Sequence, residues 1–135
     1  MRVIEVTLKT IIAGSRDITE LWIVEKAIQE SGFVITEVVC GRARGVDSLG
    51  RDWANGRRTF AGKGNIVPVK MFLADWDRFG KSAGFKRNAQ MAFYAAALIA
   101  VWDGESRGTM HMINLARKQK LRTYIVNERG KKRSA

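Results

Sequence analysis

The sequence has very little cysteine and histidine and no long apolar run. Its 135 residues include one cysteine and one histidine, which argues against a disulfide framework, a thiolate zinc cluster and a histidine-based metal site. The longest apolar run, Met91 to Trp102, is well short of the roughly 20 residues that a membrane helix needs. No secretory signal pattern opens the chain. We therefore expect a cytoplasmic protein that binds neither a metal nor a membrane.

Acidic residues are also scarce. The chain carries 13 Asp and Glu against 24 Lys and Arg, a formal net charge of +11 at pH 7. Such a surface attracts nucleotides, nucleic acids and other anions through its long-range field. The hydrophobic fraction of 46% is enough for one core without external support. We predict a single domain over residues 1–127 and a basic, disordered tail over 128–135.

Short β-rich runs alternate with segments of helical period, and Gly, Asp or Ser marks each change. Because parallel strands need crossover connections, this alternation predicts a single Rossmann-like α/β domain of three layers, with a mainly parallel sheet of about five strands. A capping box of Asp17 and Glu20 is expected to open the first helix. The predicted strands are Val6 to Ala13, Ile35 to Cys40, Ile66 to Phe72, Ala97 to Trp102 and Arg122 to Val126, and the predicted core includes Trp22, Trp53, Met91 and Trp102.

Three strand-to-helix turns are rich in small residues. They span Gly14 to Arg16, Gly41 to Asp47 and Asp103 to Thr109. In an open parallel sheet, ligands bind beyond the carboxyl ends of the strands, and exposed amides at a helix start favour a phosphate. Tight turns need glycine for steric reasons as well, but three of them at one sheet edge favour an anion site.

The loop from Ala74 to Gly84 is long for such a domain and leads into a helix predicted from about Phe85. Arg87 can form bidentate bonds to a phosphate, and Asn88 offers both a donor and an acceptor. Trp76 and Phe79 in the loop are suited to stack on a base, although such aromatic side chains more often anchor a loop to the core.

Several motifs combine into a family resemblance that covers about Thr10 to Lys118. They are Ile12-Ala13-Gly14-Ser15-Arg16, Gly41-Arg42-Ala43-Arg44-Gly45-Val46-Asp47, Trp76 with Gly80-Lys81-x-Ala83-Gly84-x-x-Arg87-Asn88-x-x-Met91, and Trp102-Asp103-Gly104-x-Ser106-x-Gly108-Thr109. With them the chain resembles the SLOG superfamily of Rossmann-like proteins, named for the Smf/DprA and LOG groups, and within it the YspA/YpsA-related branch common in bacteria and phages. The resemblance implies binding of nucleotides or nucleotide-derived ligands at these turns.

Catalysis is left open by the same resemblance. Proteins of the LOG group cleave nucleoside monophosphates at the N-glycosidic bond with an arginine and a glutamate. Arg87 looks like the arginine, but the glutamate position falls on Met112, and a thioether cannot move a proton. Asp47, Asp103 or Glu105 would have to substitute, so we rank binding above catalysis.

The leading hypothesis is thus a sensor or sequestering protein whose ligand is AMP, ADP-ribose or an NAD-like molecule, with no separate cofactor. The alternatives are an N-glycosidic phosphoribohydrolase, a single-stranded DNA binder like the DprA group, and an inhibitor of a protein partner with a vestigial pocket. The LOG group also makes a homodimer an alternative. The predicted ligand-binding residues are Gly14, Ser15, Arg16, Gly41, Ala43, Arg44, Gly45, Asp47, Arg87, Asn88, Asp103, Gly104, Ser106, Gly108 and Thr109.

Overall fold

The computed structural model describes residues 7–41, 44–59 and 63–133. Within them, five strands form one sheet in the order β3-β2-β1-β4-β5, and every neighbouring pair is parallel. This confirms the predicted α/β class. The strands are β1 (Thr7–Gly14), β2 (Val34–Gly41), β3 (Val69–Phe72), β4 (Ala97–Val101) and β5 (Arg122–Val126).

Helices cover both faces of the sheet, which gives the three predicted layers. The helices are α1 (Leu21–Ser31), α2 (Val46–Ala54), α3 (Trp76–Phe79), α4 (Ala83–Tyr94) and α5 (Arg107–Lys118), with a 3₁₀ turn at Gly80–Ser82. Buried residues of α1 and α2 form one core cluster with Ile12 and Ile99. Those of α4 and α5 form the other with Ile11 and Leu98. Successive strand residues therefore point into opposite clusters.

The position of β1 and β4 inside the sheet explains why their sequences are nearly continuous apolar runs. All five residues of β4 are buried, because β1 and β5 flank the strand and helices cover both of its sides. The third strand is shorter than predicted. It begins at Val69 rather than at Ile66, whose side chain is 74% exposed.

The first helix differs from the prediction at its start. It begins at Leu21 after Glu20, which makes no side-chain capping bond, so the predicted capping box is wrong. The Glu20 carboxylate instead accepts a hydrogen bond from the Trp22 indole N–H. Trp22 is 37% exposed, so its assignment to the core is also wrong. Trp53 and Trp102 do pack against the two core clusters, and Met91 is buried.

The long loop before α4 contains the short helix α3 and the 3₁₀ turn. Asp75 caps α3, since its Oδ1 accepts from the N–H of Arg78 at 3.1 Å. Trp76 and Phe79 are 55% and 38% exposed, so neither is buried as a core anchor. Their exposure leaves aromatic surface next to the carboxyl edge of the sheet.

The basic segment after β5 returns to the sheet over its described part. Lys132 forms an antiparallel bridge with Val126, and the N–H of Arg133 donates to the carbonyl of Ile125 at 2.8 Å. The Arg133 Nε donates to the carbonyl of Trp102 at 3.1 Å. As far as Arg133, the segment after β5 therefore packs on the domain. No helix in the described part of the chain is long and apolar enough to span a bilayer.

Candidate functional site

A cleft lies at the carboxyl edge of the sheet between β1 and β4. Along the chain, strands are added on one side of β1 up to β3 and then on the other side from β4, so this is the point where ligands bind in open parallel sheets. We call it the central cleft, and its volume is about 90 Å³. Its lining contains eight of the predicted ligand-binding residues, namely Gly14, Arg16, Asp47, Arg87, Asn88, Ser106, Gly108 and Thr109, together with Ala13, Met91 and Met112.

Two further cavities extend the central cleft, and both share Arg16 and Gly108 with it. The acidic arm has a volume of about 440 Å³ and is lined also by Ser15, Asp17, Asp103, Glu105 and Ser106. The aromatic arm has a volume of about 160 Å³ and is lined also by Trp76, Lys81, Gly84, Phe85, Arg87 and Asn88. Because the three cavities share Arg16 and Gly108, they adjoin one another and we describe them as one groove. Together they fall within the few hundred cubic ångströms typical of small-molecule sites.

Ser15 joins the three turns through its own backbone and side chain. It is buried, and its N–H donates to the carbonyl of Val101 at 3.1 Å. Its carbonyl accepts from the N–H of Val46 at 3.4 Å, and its Oγ accepts from the N–H of Asp103 at 3.3 Å. Ser15 therefore holds the three turns next to one another. Arg16, the next residue, is exposed and lines the groove.

The turn after β2 approaches the turn after β1 very closely. Gly45 has φ +71°, and a Cβ atom there would lie 2.5 Å from the carbonyl oxygen of Ser15. A Cβ atom at Gly14 would lie 2.2 Å from the carbonyl oxygen of Val101. Both positions therefore require glycine for packing. Arg44 is exposed and lies outside the three cavities of the groove, and Ala43 lies outside the described residues.

The turn after β4 is organised by Asp103. Its Oδ1 accepts from the N–H groups of Glu105 at 2.8 Å and Ser106 at 2.9 Å, and these bonds hold the pKa of the carboxyl below its ordinary value. Ser106 then caps α5, because its Oγ accepts from the N–H of Thr109 at 3.4 Å. Gly104, with φ +85°, faces the guanidinium of Arg133. The turn is thus fixed by its own side chains.

Arg87 and Asn88 bring α4 to the cleft. The Arg87 guanidinium lies against Gly41, where a Cβ atom would be 2.2 Å from Nη1, and its Nε donates to Oδ1 of Asn88 at 3.1 Å. Asn88 is buried. Its Nδ2 donates to the carbonyl of Gly108 at 3.3 Å and lies 3.2 Å from Nδ1 of His111. Asn88 therefore joins α4 to α5 and holds Arg87, whose side chain lines the cleft.

Two titratable groups near the cleft, Cys40 and His111, favour their neutral forms. Burial, followed by the nearby Asp47 carboxylate, raises the pKa of the Cys40 thiol to about 11, so this buried free cysteine is a poor nucleophile at neutral pH. Burial lowers the pKa of His111. Among the described residues lining the central cleft, Asp47 supplies the carboxylate, and it is only 6% exposed. Met112 is buried and lines the same cleft.

Sequence reasoning assigned no site role to several residues that line the groove. Met91 reaches the central cleft, and Lys81, Gly84 and Phe85 reach the aromatic arm. The motif from Trp76 to Met91 contains three of them, Lys81, Gly84 and Met91, whereas nothing in the sequence pattern singled out Phe85. Over the described ranges 7–41, 44–59 and 63–133, no group of three His, Cys, Asp or Glu side chains could hold a metal.

Comparisons with known proteins give one informative match. No family model matches the chain, and no solved structure matches it. The chain is 34% identical over 115 residues to a protein described as "Gene 61 protein" of Mycobacterium phage D29, and the match covers 82% of this chain and 89% of the phage protein. At this identity and coverage, the chain belongs to the family of the phage Gene 61 protein.

Proposed function

We propose that this protein binds a nucleotide or nucleotide-derived ligand, such as AMP, ADP-ribose or an NAD-like molecule, as a sensor or sequestering protein. One observation carries the proposal. The central cleft lies at the switch point of the sheet and combines the first turn of α5 with the side chains of Arg16 and Arg87. We also infer, from the motifs alone, that the chain is a YspA/YpsA-like member of the SLOG superfamily.

The phosphate is best accommodated at the start of α5. The first N–H groups of a helix have no partner within the helix, and the helix dipole favours an anion there. Ser106 caps the N–H of Thr109, while the exposed Gly108 has open space where a side chain would be. Two guanidinium groups line the same cleft and can form charge-assisted bonds to phosphate oxygens. This combination favours phosphate over a neutral ligand.

A ribose hydroxyl is best assigned to Asp47. Its carboxylate lines the central cleft, and an ionised carboxylate accepts up to about four hydrogen bonds. Asp103, also a predicted ligand-binding residue, lines the acidic arm and not the central cleft. The carboxylate in the cleft is thus better placed to accept a hydroxyl.

Asp47 also supports a second candidate function, N-glycosidic hydrolysis of a nucleoside monophosphate. A carboxylate in the cleft is the feature that such a reaction needs, and Met112 cannot supply it. Release of free base from any of AMP, GMP, CMP or UMP, abolished in Asp47→Asn, would establish this activity. A panel that yields no base would restrict the protein to binding.

The binding proposal is tested with Arg87→Ala and the matched control Arg117→Ala. Arg117 is exposed in the last turn of α5, at the end of that helix away from the cleft, so both variants lose one positive charge. We expect calorimetric titration with AMP, ADP-ribose and NAD to show binding that weakens by about 1.5–3 kcal/mol in Arg87→Ala and stays unchanged in Arg117→Ala.

Two outcomes would overturn the proposal. Equal weakening in both variants would show that only net charge matters. Absence of binding to the nucleotide panel, with single-stranded DNA bound at low salt and released at high salt, would identify the basic surface as the functional feature.

A further inference from the structure

The aromatic arm of the groove carries two large exposed rings. Trp76 is 55% exposed and Phe85 is 49% exposed, and both line the same cavity of about 160 Å³. Exposed aromatic side chains that face a cavity are not accounted for by packing of the core. They call for a flat apolar ligand group that covers them.

This cavity adjoins the central cleft, where we propose that the phosphate binds. Arg87, Asn88 and Gly108 line both the aromatic arm and the central cleft. The acidic arm is lined by Asp17, Asp103 and Glu105, and its described lining contains no aromatic residue. A ligand with its phosphate in the central cleft therefore finds aromatic surface in the aromatic arm but not in the acidic arm.

Each of the two rings lies next to a neighbouring group of the fold. The Phe85 ring packs on the His111 imidazole, with their centroids 4.3 Å apart at an interplanar angle of 45°. The Trp76 indole lies over the first turn of α4. Its Cη2 is 3.5 Å from the point that a Cβ atom at Gly84 would occupy. Rings that are already placed lose little side-chain freedom when they bind a ligand.

Phe79 provides an internal contrast within α3. It is also exposed, but the Lys86 ammonium lies 4.7 Å and the Arg78 guanidinium 5.0 Å from its ring centroid. The Phe79 ring thus already makes cation–π contacts with side chains of the protein. Phe79 is also not among the residues that line the aromatic arm. Exposure alone therefore does not make an aromatic residue of this helix part of the groove.

We propose that the aromatic arm is a nucleobase subsite, in which Trp76 and Phe85 stack on the base while the phosphate lies at the start of α5. This inference rests on the proposed nucleotide binding and adds to it an orientation of the ligand. Stacking tolerates any base, because every base has a π-face. The Asn88 amide is already engaged with Gly108 and Arg87. The subsite therefore distinguishes little among the four bases.

The test compares AMP, GMP, CMP and UMP with ribose 5-phosphate, which has the same sugar phosphate and no base. Calorimetric titrations use the wild-type chain, Trp76→Ala, Trp76→Phe and the control Phe79→Ala. In Trp76→Ala, we expect the Kd of each nucleotide to rise about tenfold and that of ribose 5-phosphate to stay within twofold. Trp76→Phe retains most of the nucleotide affinity, and Phe79→Ala retains all of it.

The outcomes separate this inference from the proposal beneath it. Nucleotide binding that is unaffected by Trp76→Ala would leave the central cleft as a nucleotide site and overturn the base subsite. If Trp76→Ala weakened the affinity for nucleotides and for ribose 5-phosphate equally, Trp76 would be a structural residue, and the subsite would likewise be overturned. If the wild-type chain bound none of these nucleotides, the proposed function and the subsite would fall together.

Discussion

The glycine-rich turns after β2 and β4 look alike in the sequence but differ in what their glycines contact. A Cβ atom at Gly45 would lie within 2.6 Å of three backbone atoms of Ser15 and Arg16. A Cβ atom at Gly108 would meet no atom within 4 Å. Gly45 is therefore required to let two turns approach each other, whereas Gly108 leaves the first turn of α5 accessible.

This difference shows that a glycine-rich turn does not by itself indicate a phosphate site. The turn after β2 uses its glycine to bring α2 against Ser15, whose carbonyl accepts from the N–H of Val46. The turn after β4 is shaped by the Asp103 and Ser106 side chains, and a Cβ atom at its Gly108 would meet open space. We therefore assign packing to the turn after β2 and propose phosphate binding at the turn after β4.

The largest expected effect is that of Gly45→Ala. The new methyl group would overlap the Ser15 and Arg16 backbone, and φ +71° disfavours any side chain, so the free energy of unfolding should fall by about 3 kcal/mol. Urea denaturation measures it. Wild-type stability in this variant would show that the turn relaxes, and the distinction between the two turns would be lost.

Asp103→Ala should have the next largest effect. It leaves two backbone N–H groups without their acceptor, which lowers the free energy of unfolding by about 1–2 kcal/mol. Asp103→Asn keeps an acceptor oxygen and is the control. Because the folded pKa is lowered, the contribution of the charge is complete above the ordinary Asp pKa of about 3.9 and is lost as the pH falls through the folded pKa. If the difference in the free energy of unfolding between wild type and Asp103→Asn grew toward acid pH, this expectation would be contradicted.

Gly41→Ala should affect ligand binding more than folding. The new Cβ would meet the Arg87 guanidinium, and this flexible end can move away, so we expect a stability loss of about 1 kcal/mol. The displaced guanidinium should weaken AMP binding by about 1 kcal/mol or more. The AMP affinity of Gly41→Ala is compared with that of Arg87→Ala and of the double variant. Additive losses would show that the two residues act independently.

Gly108→Ala should have the smallest effect on stability. Alanine is the better helix former and meets open space, so the free energy of unfolding should change by less than about 1 kcal/mol, in the stabilising direction. The added methyl group should nevertheless weaken AMP binding, since it projects from the turn that lines the cleft. Thermal unfolding with and without AMP measures both quantities. Unchanged AMP affinity would remove Gly108 from the site.

The order of strands and helices was largely predictable. Apolar alternation and turn residues are local properties, and β5 (Arg122–Val126) is found with its predicted bounds. Errors arose where packing or a specific bond overrides local preference. Glu20 is bound to the Trp22 indole instead of closing a capping box, and Ile66 lies outside the sheet despite its β-branched side chain.

The site was predictable to the extent that it follows from topology. The carboxyl ends of parallel strands meet at one edge, so the turns after β1 and β4 and the residues Arg87 and Asn88 do come together. The contribution of Phe85 was not predictable, because it depends on how α4 packs against α5 through Asn88 and His111. The return of Arg133 to Trp102 is a contact between residues 31 positions apart, which composition cannot show.

The sequence by itself determined the alternation of strands and helices, the apolar pattern of each strand and helix, and the clustering of small residues after the strands, because each depends on neighbours along the chain. The tertiary structure alone decided which glycines are needed for packing, that Trp76 is exposed beside the cleft, and that Ser15 joins three turns. These features depend on distances between segments that are far apart in the sequence. Only the packed fold sets such distances.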